Sequence, residues 1–357
     1  MKRKNGAVIW FAGTLTAVFL ILAVFAGICI WVDPFFHYHK PLNKYNYITA
    51  FRYYYTNDGI IRNYDYEGVI AGTSMADNFK TSEAEELFGV GKFIKISMDG
   101  TGFVERTQQL ERVYHRGKTP KYVIRTLDDA AIKLPSDKTK RDFSEFDYLY
   151  NDNIFDDVNY LFNLSIFMQN TCEVLGSPLP DGEQPIDFDK YLAWYYPTGK
   201  EAVLKTYVID GSNAEEAVFT AEDRERIIQN ISCNITDLAY KHPETTFICF
   251  FPPYSICEWD KLKGEKTLNW TVEAQRTAAE EILDCPNIKL FGFSDNYDMT
   301  CNLDNYKDLD HYDADINSYL LKMMSEGTGQ LNKDNYQEYF DEIRRFYGEY
   351  DYTWLHE

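Results

Sequence analysis

The sequence predicts an α/β protein: a parallel five-stranded sheet with helices on both faces, preceded by one N-terminal transmembrane helix. Three observations predict it. Short apolar runs alternate with helical patterns from about residue 67 to residue 330, the order that builds a parallel sheet covered on both sides. Small and polar residues cluster where the apolar runs end, which is where such sheets bind ligands. Finally, Ala7 to Val32 contains no charged side chain, a run longer than the about 20 residues a bilayer core requires.

The apolar run is flanked asymmetrically. Lys2, Arg3 and Lys4 precede it, and Asp33 and Pro34 end it. Positive charge stays on the cytoplasmic side, so residues 1–6 read as a cytoplasmic tail, 7–32 as the membrane span, and the rest as extracellular. Trp10 and Trp31 lie near its two ends, where indole rings favour the interface. A cleaved signal peptide is the alternative, but its apolar region runs about 7–15 residues and needs a small-residue cleavage site.

The strands follow in order. Residues 33–66 are Tyr-rich and irregular and form a connector. Gly68-Val-Ile-Ala-Gly72 is the first apolar run, and a helical pattern extends from Ser74 to about Phe88. Phe93 to Ile96 is the second, followed by a helix over 104–115. Tyr122 to Ile124 is the third, Thr246 to Phe251 the fourth and Ile288 to Phe291 the fifth. Further helices are expected at about 221–241, 270–284 and 313–326. The acidic, aromatic stretch 130–215 interrupts the alternation as an insertion, with a helix around 155–174. It is too long for a plain loop, and reads either as a cap over the site or as a structural excursion. Residues 331–357 form a C-terminal helical extension.

Composition narrows the function. The 357 residues are 45% hydrophobic and 16% aromatic, which excludes a disordered chain. A net charge of −20 repels nucleic acid, so no nucleic-acid partner is expected. Cys29 lies in the membrane run. The other six cysteines permit disulfides in an oxidising space, but their spacings fit no zinc pattern and fix no connectivity. No cofactor or metal is implied: the acid-rich run from Asp304 to Asp315 lacks an EF-hand glycine, and His37-Tyr-His39 is too small a set for zinc.

Three segments carry chemistry. In Ile70-Ala-Gly-Thr-Ser74 a strand ends, small residues permit a tight turn and a helix begins. That puts the Ser74 hydroxyl at the sheet's carboxyl edge, with its own N–H aimed at a developing oxyanion. The plain alternative is Ser74 as a helix cap. In Asp308-Leu-Asp-His311 the carboxylate can turn back to the imidazole Nδ1–H, fix the tautomer and leave Nε2 free for a hydroxyl proton. In Ser97-Met-Asp-Gly100-Thr-Gly102, after the second strand, the Gly100 N–H is a second oxyanion donor candidate.

Together these segments resemble the SGNH (GDSL-like) hydrolase superfamily. Gly72-Thr-Ser74 is similar to its Gly-Asp-Ser block, Gly100 to the glycine after strand two, and Asp308 with His311 to its C-terminal Asp-x-x-His. The resemblance covers about residues 66–326, and the architecture is similar to that of membrane-anchored bacterial members such as the D-alanyl-lipoteichoic acid biosynthesis protein. It implies a flavodoxin-like sheet and a serine esterase or O-acyltransferase, with Ser74 as nucleophile, His311 as base and Asp308 as its orienter. The implied substrate is an acylated cell-envelope glycan or teichoic acid. An integral-membrane acyltransferase is an implied partner, and membrane lipid surrounds the anchor. One departure stands out: the family often has an Asn after strand three, where this chain has Thr126-Leu-Asp-Asp129. An ionised carboxylate cannot donate to an oxyanion. A catalytically inactive scaffold of the same fold is therefore the alternative.

Overall fold

The computed structural model describes residues 2–47, 53–209 and 215–356, with the side chains of 2–5 outside that description. The expected insertion and connector therefore each include a stretch, 210–214 and 48–52, that lies outside the described residues. The chain divides into two compact units, Met1–Tyr64 with Phe143–Asp187, and Asp65–Asp142 with Phe188–Glu357. The stretch expected as one insertion is thus shared between them.

The first unit begins with a helix, Lys2–Val32, whose portion from Gly6 onward is long and apolar enough to cross a membrane. Asp33 and Pro34 stop it. The Asp33 carboxylate then accepts the backbone N–H groups of His37 (3.0 Å), Tyr38 (2.7 Å) and His39 (2.9 Å) and the Tyr160 hydroxyl (2.8 Å). That network folds the chain into a collar at the helix end. Asp157 completes it, bonded to His37 Nε2 and the Tyr38 hydroxyl at 3.1 and 2.9 Å. Phe35, Leu149, Tyr150, Tyr160 and Ile166 pack as its apolar core. The helix expected around 155–174 is broken into Val158–Leu161 and a second run from Leu164 to Gly176 that contains a π-helical turn. Asn163 makes the break: its side chain caps the second run by accepting from Ser165 and Ile166 N–H.

The second unit holds a six-stranded sheet in the order β2-β1-β3-β4-β5-β6, where β1 is Gly68–Ile70, β2 Phe93–Lys95, β3 Tyr122–Thr126, β4 Thr246–Phe251, β5 Ile288–Gly292 and β6 Gln330–Leu331. The first five are parallel, and β6 runs antiparallel to β5 with Leu331 opposite Leu290. The expected count of five is short by this edge strand, whose two residues are too few to show a period. Val69, Ile70, Ile94, Val123, Ile124 and Phe247 to Phe251 are all buried, as strands covered on both faces must be.

Helices at Phe103–His115, Leu268–Ile282 and Ala314–Glu326 stand close to their expected positions. The helix expected over 221–241 contains a π-helical turn at Ser232–Thr236. Within that turn the Asn234 carbonyl accepts from the buried Arg125 guanidinium at 3.0 Å and from the Thr107 hydroxyl at 2.6 Å. Burial brings the Arg125 pKa down to about 10, and the Asn234 carbonyl and the Thr107 hydroxyl oxygen, which accepts from it at 3.0 Å, replace part of the water it lost. The helix Tyr336–Glu349 lays Tyr339, Phe340, Ile343 and Tyr347 into the core.

Candidate active site

β1 ends at Ile70, Ala71 and Gly72 carry the chain on beside β3 and β2 (Ala71 N–H to the Ile124 carbonyl at 2.8 Å, Met98 N–H to the Gly72 carbonyl at 2.9 Å), and it bends at Thr73. A side chain on Gly72 would meet Ala76 Cβ at 2.4 Å and Thr126 Cγ2 at 2.9 Å, so only glycine lets this turn close against β3. A single 3₁₀ turn, Ser74–Ala76, follows, and the next helix begins only at Thr81. The continuous helix expected from Ser74 to Phe88 is thus two pieces. Its cap is not Ser74. Thr73 takes that place, its hydroxyl accepting from Met75 N–H at 3.4 Å. Ser74 is left with its side chain turned out, half-buried at the carboxyl end of the sheet.

From the far end of the chain, His311 reaches this turn. Ser74 Oγ and His311 Nε2 are 2.8 Å apart, and His311 Nδ1 stands 2.9 and 3.0 Å from the two oxygens of Asp308. Asp308 is itself held, accepting the backbone N–H groups of Asp310 at 3.0 Å and His311 at 2.8 Å. The loop that presents them is closed by a bridge between Tyr306 and Tyr312 and by the Lys307 N–H to His311 carbonyl bond at 2.9 Å. Two side chains dock that loop on the Ser74 turn. The Tyr312 hydroxyl and the Asn317 amide both donate to the Met75 carbonyl at 3.0 Å. Ser255, for which the sequence offers no partner, supports the loop from below: its hydroxyl donates to the Leu309 carbonyl at 2.7 Å.

The electrostatics favour a charged imidazole. Burial pulls the His311 pKa down, but the Asp308 hydrogen bond and charge, with Asp310 adding, outweigh it and hold the pKa above 6.5. Asp308 is the counterpart: burial pushes its carboxyl up, yet the His311 contact and the loop N–H groups bring it to about 2. Beyond it lie acids that burial drives the other way. Asp129 is pushed up to about 6 and Glu258 to about 7, Glu258 partly by the nearby Asp310.

Asp128 occupies the loop after β3. It accepts from the Thr73 hydroxyl (2.6 Å) and the Thr126 hydroxyl (2.7 Å) and pairs with the buried Arg106 guanidinium at 2.9 Å. It therefore ties the Ser74 turn to β3 and to the helix Phe103–His115. Gly100, the second oxyanion candidate, lies exposed on the loop after β2 with φ 63°, a left-handed conformation that favours glycine. Its loop is joined to the Ser74 turn by the Met98 N–H to Gly72 carbonyl bond at 2.9 Å. Among the described residues no hydrogen bond links Gly100 itself to Ser74, Asp308 or His311.

Sequence reasoning missed Trp194. Its indole N–H donates to the Ser74 carbonyl at 3.3 Å, and its ring stands edge-on to the His311 ring at 5.8 Å between centroids. The strap carrying it is pinned three times: Asp189 to Thr81 and Ser82, the Tyr191 carbonyl to the buried Lys95, and Trp194 N–H to the Asn78 side chain. Trp194, Tyr195 and Tyr196 line a cleft of about 410 Å³ with Asn78, Asp313 and Asp315. The aromatic run Trp194-Tyr-Tyr196 before Pro197 is the signal that could have found it.

All seven cysteines are free thiols. No protein-family model and no curated protein matches the chain.

Proposed function

We propose that the chain is a membrane-anchored serine esterase or O-acyltransferase of the SGNH type. The observation that carries this reading is the relay from Ser74 Oγ through His311 to Asp308, with contacts of 2.8 and 2.9 Å. Ser74 Oγ attacks an acyl carbonyl carbon while His311 Nε2 takes its proton. The Ser74 and Gly100 N–H groups stabilise the oxyanion. The intermediate collapses, His311 protonates the departing alcohol, and the acyl group stays on Ser74. Water or a second hydroxyl then accepts it, which makes the protein a hydrolase or a transferase by the same intermediate.

By resemblance, the substrate is an acylated cell-envelope glycan or teichoic acid, and an integral-membrane acyltransferase is a partner. The 2-1-3-4-5 order of the parallel strands supports a flavodoxin-like layout, in which ligands bind at the strands' carboxyl ends. The basic residues before the apolar run support a cytoplasmic N-terminus and an extracellular main domain.

A second reading is favoured by Asp128. A buried carboxylate already saturated by Arg106, Thr73 and Thr126 replaces the expected amide donor, as in a scaffold that has lost activity. Hydrolysis of an aryl acetate by the full chain in detergent micelles separates the two. The enzyme reading expects turnover that disappears in Ser74→Ala and His311→Ala. Equal rates in all three proteins would leave only the scaffold.

A further inference from the structure

The first unit exposes an apolar surface that its own fold does not cover. Ile154, Phe155, Val158, Phe162, Leu164 and Met168 are all exposed, Ile154 to 73% and Phe155 to 81%. No charged residue occurs between Asp157 and Glu173, in a chain whose net charge is −20. Scattered single apolar residues on a surface need no explanation, but a contiguous set on one short segment does.

Where this segment packs indicates what covers it. Phe25 of the N-terminal helix stacks on Phe167 at 4.2 Å and on Phe162 at 6.4 Å between centroids, and the Cys29 thiol donates to the Leu161 carbonyl at 3.4 Å. Phe25, Ile28, Cys29 and Val32 recur at the spacing of one helix face, and they are covered while Val24, Ile30 and Trp31 on other faces remain exposed. Phe25 lies about 9 Å along the axis from Trp31, the residue suited to the membrane interface. The segment therefore descends along the last two turns of the helix. The Asp33 and Asp157 networks fix it there: both bond to side chains or backbone of the His37–His39 turn, and Tyr160 bonds to Asp33.

We propose that residues 158–168 insert into the outer leaflet beside the N-terminal helix, as an interfacial apolar foot that fixes the depth and orientation of the first unit on the membrane. This rests on the reading that the N-terminal helix crosses the bilayer. The occupant is lipid acyl chain, because Phe162 and Phe167 stack on Phe25 of the lipid-facing helix, which sets them at the depth, about 5–10 Å below the interface, that monotopic segments reach. The segment carries no Lys or Arg, so attraction to anionic headgroups contributes nothing and apolar burial is the driving force.

The full chain is reconstituted in phosphatidylcholine vesicles carrying a photoactivatable diazirine in one acyl chain, and cross-linked peptides are mapped by mass spectrometry. Adducts are expected on peptides from residues 158–168 as well as on the N-terminal helix, unchanged between 50 mM and 500 mM salt as apolar insertion requires, on the order of a tenfold range in ionic strength. Leu164→Asp combined with Met168→Asp alters two exposed side chains, and is expected to remove most labelling of the segment while the helix remains labelled. Labelling confined to the helix overturns the foot and leaves the span, and reserves the patch for a protein partner. Labelling of neither overturns the span itself. Undiminished labelling of the segment in the double variant also contradicts the proposal.

Discussion

Thr73, the neighbour of Ser74, donates its hydroxyl to Asp128 at 2.6 Å, and Asp128 in turn pairs with Arg106 at 2.9 Å. The turn that carries the serine is thereby fastened to a buried ion pair. Removing one member of such a pair leaves an unpaired charge in the interior. Asp128→Ala should cost about 3–5 kcal/mol of stability, because Arg106 is almost fully buried. Urea unfolding of the full chain in micelles measures it. Asp128→Asn keeps one acceptor oxygen and should lose less.

Activity should rise with pH through a midpoint above 6.5. His311 must be neutral to take the Ser74 proton, and Asp308 and Asp310 hold its pKa above 6.5. Asp308→Asn removes the larger of these influences, so the midpoint should move down. The plateau rate should fall about 10⁴-fold, since the amide also favours the wrong tautomer. The same pair has a stability signature. Asp308 is held at about 2 in the fold against 3.8 outside it. Its contribution is fully present above pH about 4 and is lost as pH falls through the folded value. His311 has the opposite sign: its contribution is present below its unfolded pKa and fades as pH rises through the folded one.

Trp194→Phe keeps an aromatic ring against His311 but deletes the indole N–H that holds the Ser74 carbonyl. A net hydrogen bond is worth about 1 kcal/mol. Urea unfolding should show a loss of about that size, and ester turnover should fall as the turn carrying Ser74 loses this anchor.

Gly72→Ala places a methyl 2.4 Å from Ala76 Cβ. Overpacking of this kind costs about 1–3 kcal/mol. Because the clash lies between β1 and the serine turn, the variant should lose activity as well as stability. Ester turnover and urea unfolding of the same preparation test both.

The five parallel strands were legible because each is a short apolar run bounded by small or polar residues, and β4, Thr246–Phe251, matches its expected limits. β6 was not, since Gln330 and Leu331 acquire strand geometry only by pairing with Phe291 and Leu290. The Ser74, Asp308 and His311 segments could be singled out from local pattern. What could not be read was what joins them: Tyr312 and Asn317 on the Met75 carbonyl are 237 and 242 residues away in sequence. Trp194 escaped for the same reason, because its partners Asn78 and Ser74 are brought to it only by the fold. The helix over 155–174 failed at Asn163, whose side chain competes for backbone N–H groups and starts a new helix.

Reaction of the full chain with a fluorophosphonate, with the adduct located by peptide mass spectrometry, decides whether Ser74 is a nucleophile activated by His311. One adduct on Ser74 of the wild type and none in Ser74→Ala is the expected result. An unmodified wild type, under conditions where a control serine esterase is fully labelled, would contradict it, as would equal labelling of the variant.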